Sequence, residues 1–135
     1  NVTVLEKEVN LMSNVNMKIW GRDFDIKVVY DCYKGESILP IQTAALEEFI
    51  SSKSSVEGSL EEVKAYCLAN NSEDIQGEIE NIFKYVIPKY LYIPRNEKKK
   101  IVAIMCNYRY DQDNGIAVVF ENSKLCNIGV QDIIL

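Results

Sequence analysis

The apolar residues of this chain change their spacing twice, and this change constrains the fold more than any other feature. Residues 17–30 and residues 90–135 carry strand-like patterns, whereas residues 40–86 repeat apolar positions at helical steps of three and four. Strands and helices that are grouped along the chain, without strict alternation, are typical of an α+β domain. We therefore predict an antiparallel sheet with about three helices packed on one face.

The N-terminal third predicts a β-hairpin. Met17–Trp20 and Phe24–Tyr30 are rich in β-branched and aromatic residues, and they flank the sequence Gly-Arg-Asp. Gly21 suits the positive φ angle that a tight turn of this kind requires. Residues 1–16 either add a strand or form a loose N-terminal extension of a single domain that spans residues 1–135.

Three helices are predicted between the two β regions. The first begins at Pro40, because a residue without an N–H group is well tolerated in a first helical turn, and it ends at the serine-rich loop Ser51–Ser55. The second opens at Ser59, which forms the pattern of a capping box with Glu62. The third occupies residues 72–87 and is ended by Pro88.

The C-terminal third predicts five strands, because short apolar runs are separated there by turn residues. These runs are Tyr90–Ile93, Ile101–Tyr108, Ile116–Phe120, Leu125–Ile128 and Asp132–Leu135. Together with the N-terminal hairpin, they supply the strands of the predicted antiparallel sheet.

The chain contains no histidine, and this absence removes more chemistry than any other feature of the composition. It excludes Ser-His and Cys-His nucleophile pairs, histidine acid–base catalysis and imidazole metal ligands. No G-x-G-x-x-G or P-loop motif occurs either, so we expect no enzymatic activity and no cofactor. The net charge of −5 argues against nucleic-acid binding and favours a basic protein partner or a neutral protein surface.

The four cysteines form no C-x-x-C pair, so their spacing indicates neither a zinc ribbon nor a thioredoxin-like site. Cys67, Cys106 and Cys126 lie in or beside apolar patterns, which predicts buried free thiols. Free thiols are typical of a reducing compartment, and we therefore expect a cytoplasmic protein. No apolar run reaches the length of a membrane span, so we expect no membrane association.

The segment Tyr110–Gly115, with the sequence Tyr-Asp-Gln-Asp-Asn-Gly, is the strongest candidate for a functional site. It connects two predicted strands, and Asn114 and Gly115 both tolerate the positive φ angles of a chain reversal. Asp111 and Asp113 can accept backbone hydrogen bonds within such a turn. The same two carboxylates could instead bind calcium or magnesium or act as a catalytic pair, although Gly115 falls one position too early for an EF-hand loop.

The sequence around this turn resembles a bacterial family of domains of unknown function. Residues 101–134 read IVAIMCNYRYDQDNGIAVVFENSKLCNIGVQDII. In that family a strand leads into Trp-Asp-Pro-Glu-His-Gly, followed by Val-x-Phe and a closing Gly-x-Gln-Asp. The N-terminal half is similar too, with Trp20-Gly21 before a strand and with Gln42, Leu46 and Phe49 in a helix.

The resemblance implies a shared turn and not a shared activity. The residues that match are Asp111, Gly115, Phe120, Gln131 and Asp132, while Tyr110, Gln112, Asp113 and Asn114 stand where the family often has Trp, Pro, Glu and His. Any role tied to that histidine cannot operate here. Members of the family look similar to small bacterial proteins that occur near toxin or interaction loci, which implies an immunity or adaptor role.

From these observations we expect a non-enzymatic protein-binding module, and an immunity protein that neutralises a basic toxin domain is one form of it. The alternative is a carboxylate-based domain that binds a divalent metal or performs hydrolysis at Asp111 and Asp113. The oligomeric state does not follow from the sequence. The expected contact residues lie at the tip of the hairpin: Tyr108, Arg109, Tyr110, Asp111, Asp113 and Asn114.

Overall fold

A computed structural model describes the backbone of residues 8–135 and the side chains of residues 13–135. Residues 1–7, which form part of the segment expected to be a strand or a loose extension, lie outside this range. The elements in chain order are β1 (Glu8–Ile19), β2 (Arg22–Tyr33), α1 (Pro40–Ser51), α2 (Lys53–Asn71), a 3₁₀ turn (Ile82–Lys84), β3 (Val86–Ile93), β4 (Ile101–Tyr108), β5 (Ile116–Glu121), β6 (Lys124–Gly129) and a second 3₁₀ turn (Gln131–Ile133).

The six strands form one sheet in the order β1-β2-β3-β4-β5-β6. Every neighbouring pair is antiparallel except β2 and β3, which run in parallel. A parallel pair needs a long crossover connection, and α1 and α2 lie in that connection. The predicted α+β class is therefore confirmed, and the sheet is antiparallel in four of its five pairings.

The main core lies between the sheet and the two helices. Phe49 of α1 meets Phe120 of β5 edge-on, with ring centroids 5.0 Å apart. Buried residues of α2, among them Val56 and Val63, join the same cluster. A smaller apolar cluster occupies the opposite face of the sheet around Met105. Because β4 and β5 bury both faces, their sequences are almost continuously apolar.

The prediction of three helices is wrong, because residues 72–87 do not form the third. Ile75, Ile79 and Ile82 are buried in the main core, as their spacing indicated. However, Gly77 between them has a φ angle of +76°, which a right-handed helix does not accommodate. The segment consists of turns and a short 3₁₀ turn, and Pro88, expected to end the helix, lies inside β3 beside a β-bulge.

The predicted start of the second helix is also wrong. Helix α2 begins at Lys53, so only Ser52 separates it from α1, and the expected Ser51–Ser55 loop is largely helical. Ser59 does not cap a helix end. Its side chain is buried in the middle of α2, where the hydroxyl donates to the carbonyl of Val56 at 2.6 Å and accepts from the indole of Trp20 at 3.0 Å.

Several local predictions are confirmed. Gly21 takes a φ angle of +82° in the β1–β2 turn, the first helix spans Pro40–Ser51, and β4 has the predicted bounds. Two others are wrong: the expected strand Asp132–Leu135 is replaced by a 3₁₀ turn, and Cys126 is exposed, although Cys67, Cys106 and Cys126 are free thiols as predicted.

Candidate functional site

The loop between β4 and β5 is closed by its own aspartate. The carboxylate of Asp111 accepts a hydrogen bond from the backbone N–H of Asn114 at 3.2 Å, and the side-chain amide of Asn114 donates to both of its oxygens at 3.1 Å. The backbone carbonyl of Asp111 accepts from the N–H of Gly115 at 2.9 Å. Asp111 therefore fixes the loop in the way that an Asx-turn does.

A second brace comes from the C-terminal 3₁₀ turn. The N–H of Gln131 donates to the carbonyl of Asn114 at 3.1 Å, and its side-chain amide donates to the carbonyl of Cys106 at 3.1 Å. Gly115 passes beneath this side chain with a φ angle of +60°. A Cβ atom at Gly115 would lie only 2.5 Å from the Cys106 carbonyl oxygen, so this position requires glycine.

Three tyrosines form the base of the loop. Tyr108 is only 3% exposed, and its hydroxyl donates to the side-chain carbonyl of Asn71 at 2.7 Å. Tyr110 stacks on Tyr85 with ring centroids 5.9 Å apart and meets Tyr108 edge-on at 5.8 Å. The N–H of Arg109 also donates to the carbonyl of Tyr85 at 2.8 Å. These contacts join the loop to the end of α2 and to the segment before β3.

The titratable groups beneath the loop favour their neutral forms. Burial raises the pKa of Tyr108, and the neighbouring Cys67 raises it further. Burial likewise raises the pKa of the Cys67 and Cys106 thiols. A nucleophilic cysteine needs the thiolate form. Cys67 and Cys106 are therefore neutral thiols at physiological pH and serve as packing groups.

The outer surface of the loop is polar and exposed. Arg109, Gln112, Asp113 and Asn114 all face solvent. Within the described part of the chain, the side chains of Gln112 and Asp113 make no hydrogen bond or ion pair. Beside the loop lies an open cleft of about 480 Å³, whose walls include Tyr85, Arg109 and Gln112.

The six predicted site residues thus lie in one connection but divide into two groups. Tyr108, Tyr110 and Asp111 are used within the protein, whereas Arg109 and Asp113 are presented to solvent. Asn114 is exposed, but its side-chain amide is engaged by Asp111. Sequence reasoning did not select Gln112 or Tyr85. Gln112 could have been chosen from its place inside the loop, but Tyr85 lies in the segment that was expected to be a helix.

Metal-ligating side chains are not grouped in the described residues. Across residues 13–135, whose side chains the structure describes, no three residues of the types His, Cys, Asp and Glu are placed together so that they could hold an ion. Both oxygens of Asp111 already accept hydrogen bonds from Asn114. The divalent-metal or hydrolytic site at Asp111 and Asp113 stays a prediction.

Other positions that carry the family resemblance are structural. The side-chain amide of Gln42 is buried and donates to the carbonyls of Asp31 at 2.8 Å and Ile93 at 3.1 Å, which ties α1 to the ends of β2 and β3. The indole of Trp20 donates to Ser59 of α2. Gln42 and Trp20, which match the family pattern, therefore hold the two helices against the sheet.

The described residues form an α+β domain in which two helices cover one face of the sheet and a self-braced loop extends from it. The chain belongs to the family described as "Domain of unknown function (DUF6985)", whose model matches residues 2–135. No curated protein and no solved structure matches it. The expected membership of an uncharacterised domain family is confirmed, while the bacterial origin and the family motifs stay predictions. In the described part of the chain, neither helix has the length and apolar character needed to span a membrane.

Proposed function

We propose that this chain is a non-enzymatic protein-binding module whose contact surface is the outer side of the β4–β5 loop. One observation carries the proposal: the loop is held rigid from inside, while Arg109, Gln112 and Asp113 project into solvent. A surface that is already ordered loses little conformational entropy on binding. Exposed polar side chains on such a surface can then act as specific contacts.

The charge of the chain supports a basic partner. With a net charge of −5, the protein attracts a positively charged surface over distances comparable to the Debye length, which speeds association. A basic toxin domain is one such partner, and an acidic protein that caps it would act as an immunity protein. Its association rate should fall as the salt concentration rises.

The chemistry of the interior supports binding over catalysis. The chain has no histidine, and the buried thiols and Tyr108 favour their neutral forms. The carboxylate of Asp111 is engaged by Asn114. A cytoplasmic location would keep the four thiols reduced and belongs to the same proposal.

A native pull-down from the lysate of the source cell, with mass spectrometry of the retained proteins, tests the proposal. The variant Asp113→Lys combined with Arg109→Glu reverses two exposed charges without changing the net charge. We expect it to weaken capture of the partner at least about tenfold, as loss of a central contact does.

The matched control combines Asp25→Lys with Lys27→Glu, which reverses two exposed charges on β2 and also conserves the net charge. This control should retain the partner fully. Equal capture by both variants, or no stoichiometric partner at all, would overturn the assignment of the loop.

A further inference from the structure

The strand β6 leaves one edge of the sheet open. It pairs with β5 on one side, and no described strand pairs with its other side. An edge strand presents unpaired backbone N–H and C=O groups, which can hydrogen bond to another extended chain. The backbone of β6 therefore selects one kind of occupant, a β-strand.

A groove runs between this edge and helix α2. It has a volume of about 650 Å³. Helix α2 contributes Glu62, Ala65, Tyr66 and Ala69 to its wall, and β6 contributes Leu125 and Ile128. Ala65 and Ala69 lie one helical turn apart on an exposed surface, where long polar side chains would fill the space. The small methyl groups of Ala65 and Ala69 leave room in the groove for the side chains of a bound partner.

A β-bulge brings two apolar side chains of β6 to the same face of the sheet. The pairing of β5 with β6 shifts register between Val119 and Phe120, which leaves Cys126 as the extra residue on β6. Leu125 and Ile128 are three positions apart, yet both pack on the helix-covered face. The groove therefore offers apolar contacts beside an unpaired backbone.

Glu62 is the one charged side chain among the residues that line the groove. Glu62 is exposed and makes no ion pair with any residue in the described range 13–135. At the side nearer the β4–β5 loop lies Tyr66, whose pKa is raised by burial and, to a smaller extent, by the negative charge of Asp111. An occupant with basic side chains complements Glu62 and the net charge of −5, whereas a second copy of the chain carries the same net negative charge.

We propose that β6 and this groove bind an extended segment of a basic partner protein, which adds a strand to the sheet and directs alternate apolar side chains toward Ala65 and Ala69. Backbone hydrogen bonds supply affinity in this mode, and the pockets for alternate side chains supply specificity. The inference goes beyond the proposed role of the loop and does not depend on it.

The test uses a fluorescein-labelled peptide of roughly ten residues with alternating lysine and valine, long enough to span one strand. Its binding to the full chain is measured by fluorescence anisotropy, and the contact site is mapped by NMR of the ¹⁵N-labelled protein. We expect saturable binding with chemical-shift changes in residues 124–129 and at residues 62–69. A matched peptide of alternating glutamate and valine should bind more weakly.

Three variants sharpen this test. Ala65→Arg with Ala69→Arg fills the groove from exposed helical positions and should abolish saturable binding. Glu62→Gln should weaken it by up to about fivefold, the range of an exposed ion pair. Ser54→Arg, on an exposed position near the start of α2, should leave it unchanged.

Two results would overturn the inference. One is the absence of shifts in β6 at peptide concentrations up to about 1 mM, which is the limit of weak specific binding. The other is sedimentation of the protein alone as a dimer that Ala65→Arg with Ala69→Arg dissociates, since the occupant would then be a second copy. Failure of the peptide test alone leaves the pull-down result for the loop unaffected.

Discussion

Two β-hairpin connections in the described part of the chain contain a glycine, the β1–β2 turn and the β4–β5 loop, and they are braced in opposite ways. The backbone N–H groups of Trp20 and Gly21 donate to the carboxylate of Glu57, and the indole of Trp20 donates to Ser59, so helix α2 holds the first turn. The second is held by Asp111 from within and by Gln131 from the chain end.

This difference determines which side chains remain available. In the first turn the indole of Trp20 is buried. The guanidinium of Arg22, which follows the turn, lies 4.0 Å from the centroid of the Phe83 ring. In the second, the brace uses one aspartate and leaves Gln112 and Asp113 exposed. A reversal that is anchored by a neighbouring helix is part of the packing, whereas one that anchors itself can present side chains to a partner.

The two glycines should differ most when a methyl group is added. Gly115→Ala places a Cβ atom 2.5 Å from a backbone oxygen at a φ angle of +60°, so we expect a loss of about 3 kcal/mol in the free energy of unfolding. Gly21→Ala meets no atom within 4 Å, so only its φ angle of +82° opposes the change and the loss should be about 1 kcal/mol. Urea unfolding of both variants measures the difference. Equal losses would show that the Cys106 carbonyl and the Gln131 side chain do not confine Gly115.

The next largest effect should come from the anchor of the first turn. Ser59→Ala removes the acceptor of the buried Trp20 indole N–H, and an unsatisfied buried donor costs about 2 kcal/mol. Trp20 is the only tryptophan of the chain, so its fluorescence reports both unfolding in urea and any change around the indole.

The control for this prediction is Ser54→Ala, an exposed position on the same helix, which should change the free energy of unfolding by no more than about 0.5 kcal/mol. If Ser59→Ala lowered the free energy of unfolding by no more than this control, α2 would not be the anchor of the β1–β2 turn.

The two glycine-containing connections also show which structural features can be predicted from the sequence. Both reversals follow from local chemistry, because a glycine between two apolar runs suffices to place them. The bounds of β4 follow from its continuous apolar run. These features depend on neighbours along the chain, and such patterns are visible without a structure.

The wrong predictions have a common physical cause, which is that tertiary contacts override a local pattern. Ser59 and Glu62 match a capping box, but the hydroxyl of Ser59 is used by Trp20, which is 39 residues away. Ile75, Ile79 and Ile82 face the core as a helix would place them, yet Gly77 breaks the backbone between them. The division of the candidate site has the same origin, because Tyr108 is turned inward by Asn71 of α2.

The smallest effect in this comparison should come from Asp111→Asn. The substitution removes one acceptor oxygen and points an amide donor toward the amide of Asn114, so we expect a loss of about 1 kcal/mol in the free energy of unfolding. Hydrogen exchange at the N–H of Asn114 should become faster, because that group donates to the Asp111 carboxylate. Asp113→Asn is the control and should change neither quantity, since the Asp113 side chain makes no described hydrogen bond.

The same pair of variants separates a self-braced loop from a metal site. If Asp111 serves only to close the turn, then millimolar calcium or magnesium should leave the melting temperature of the wild-type protein unchanged. A ligand that binds only the folded state raises the melting temperature, and the rise continues with the logarithm of the ligand concentration above the Kd. The contrary result is a melting temperature of the wild-type protein that rises with metal concentration, with the rise abolished by both Asp111→Asn and Asp113→Asn. The loop would then be a divalent-metal site and not a protein-binding surface. Hydrogen exchange at Asn114 would then slow down on addition of the metal.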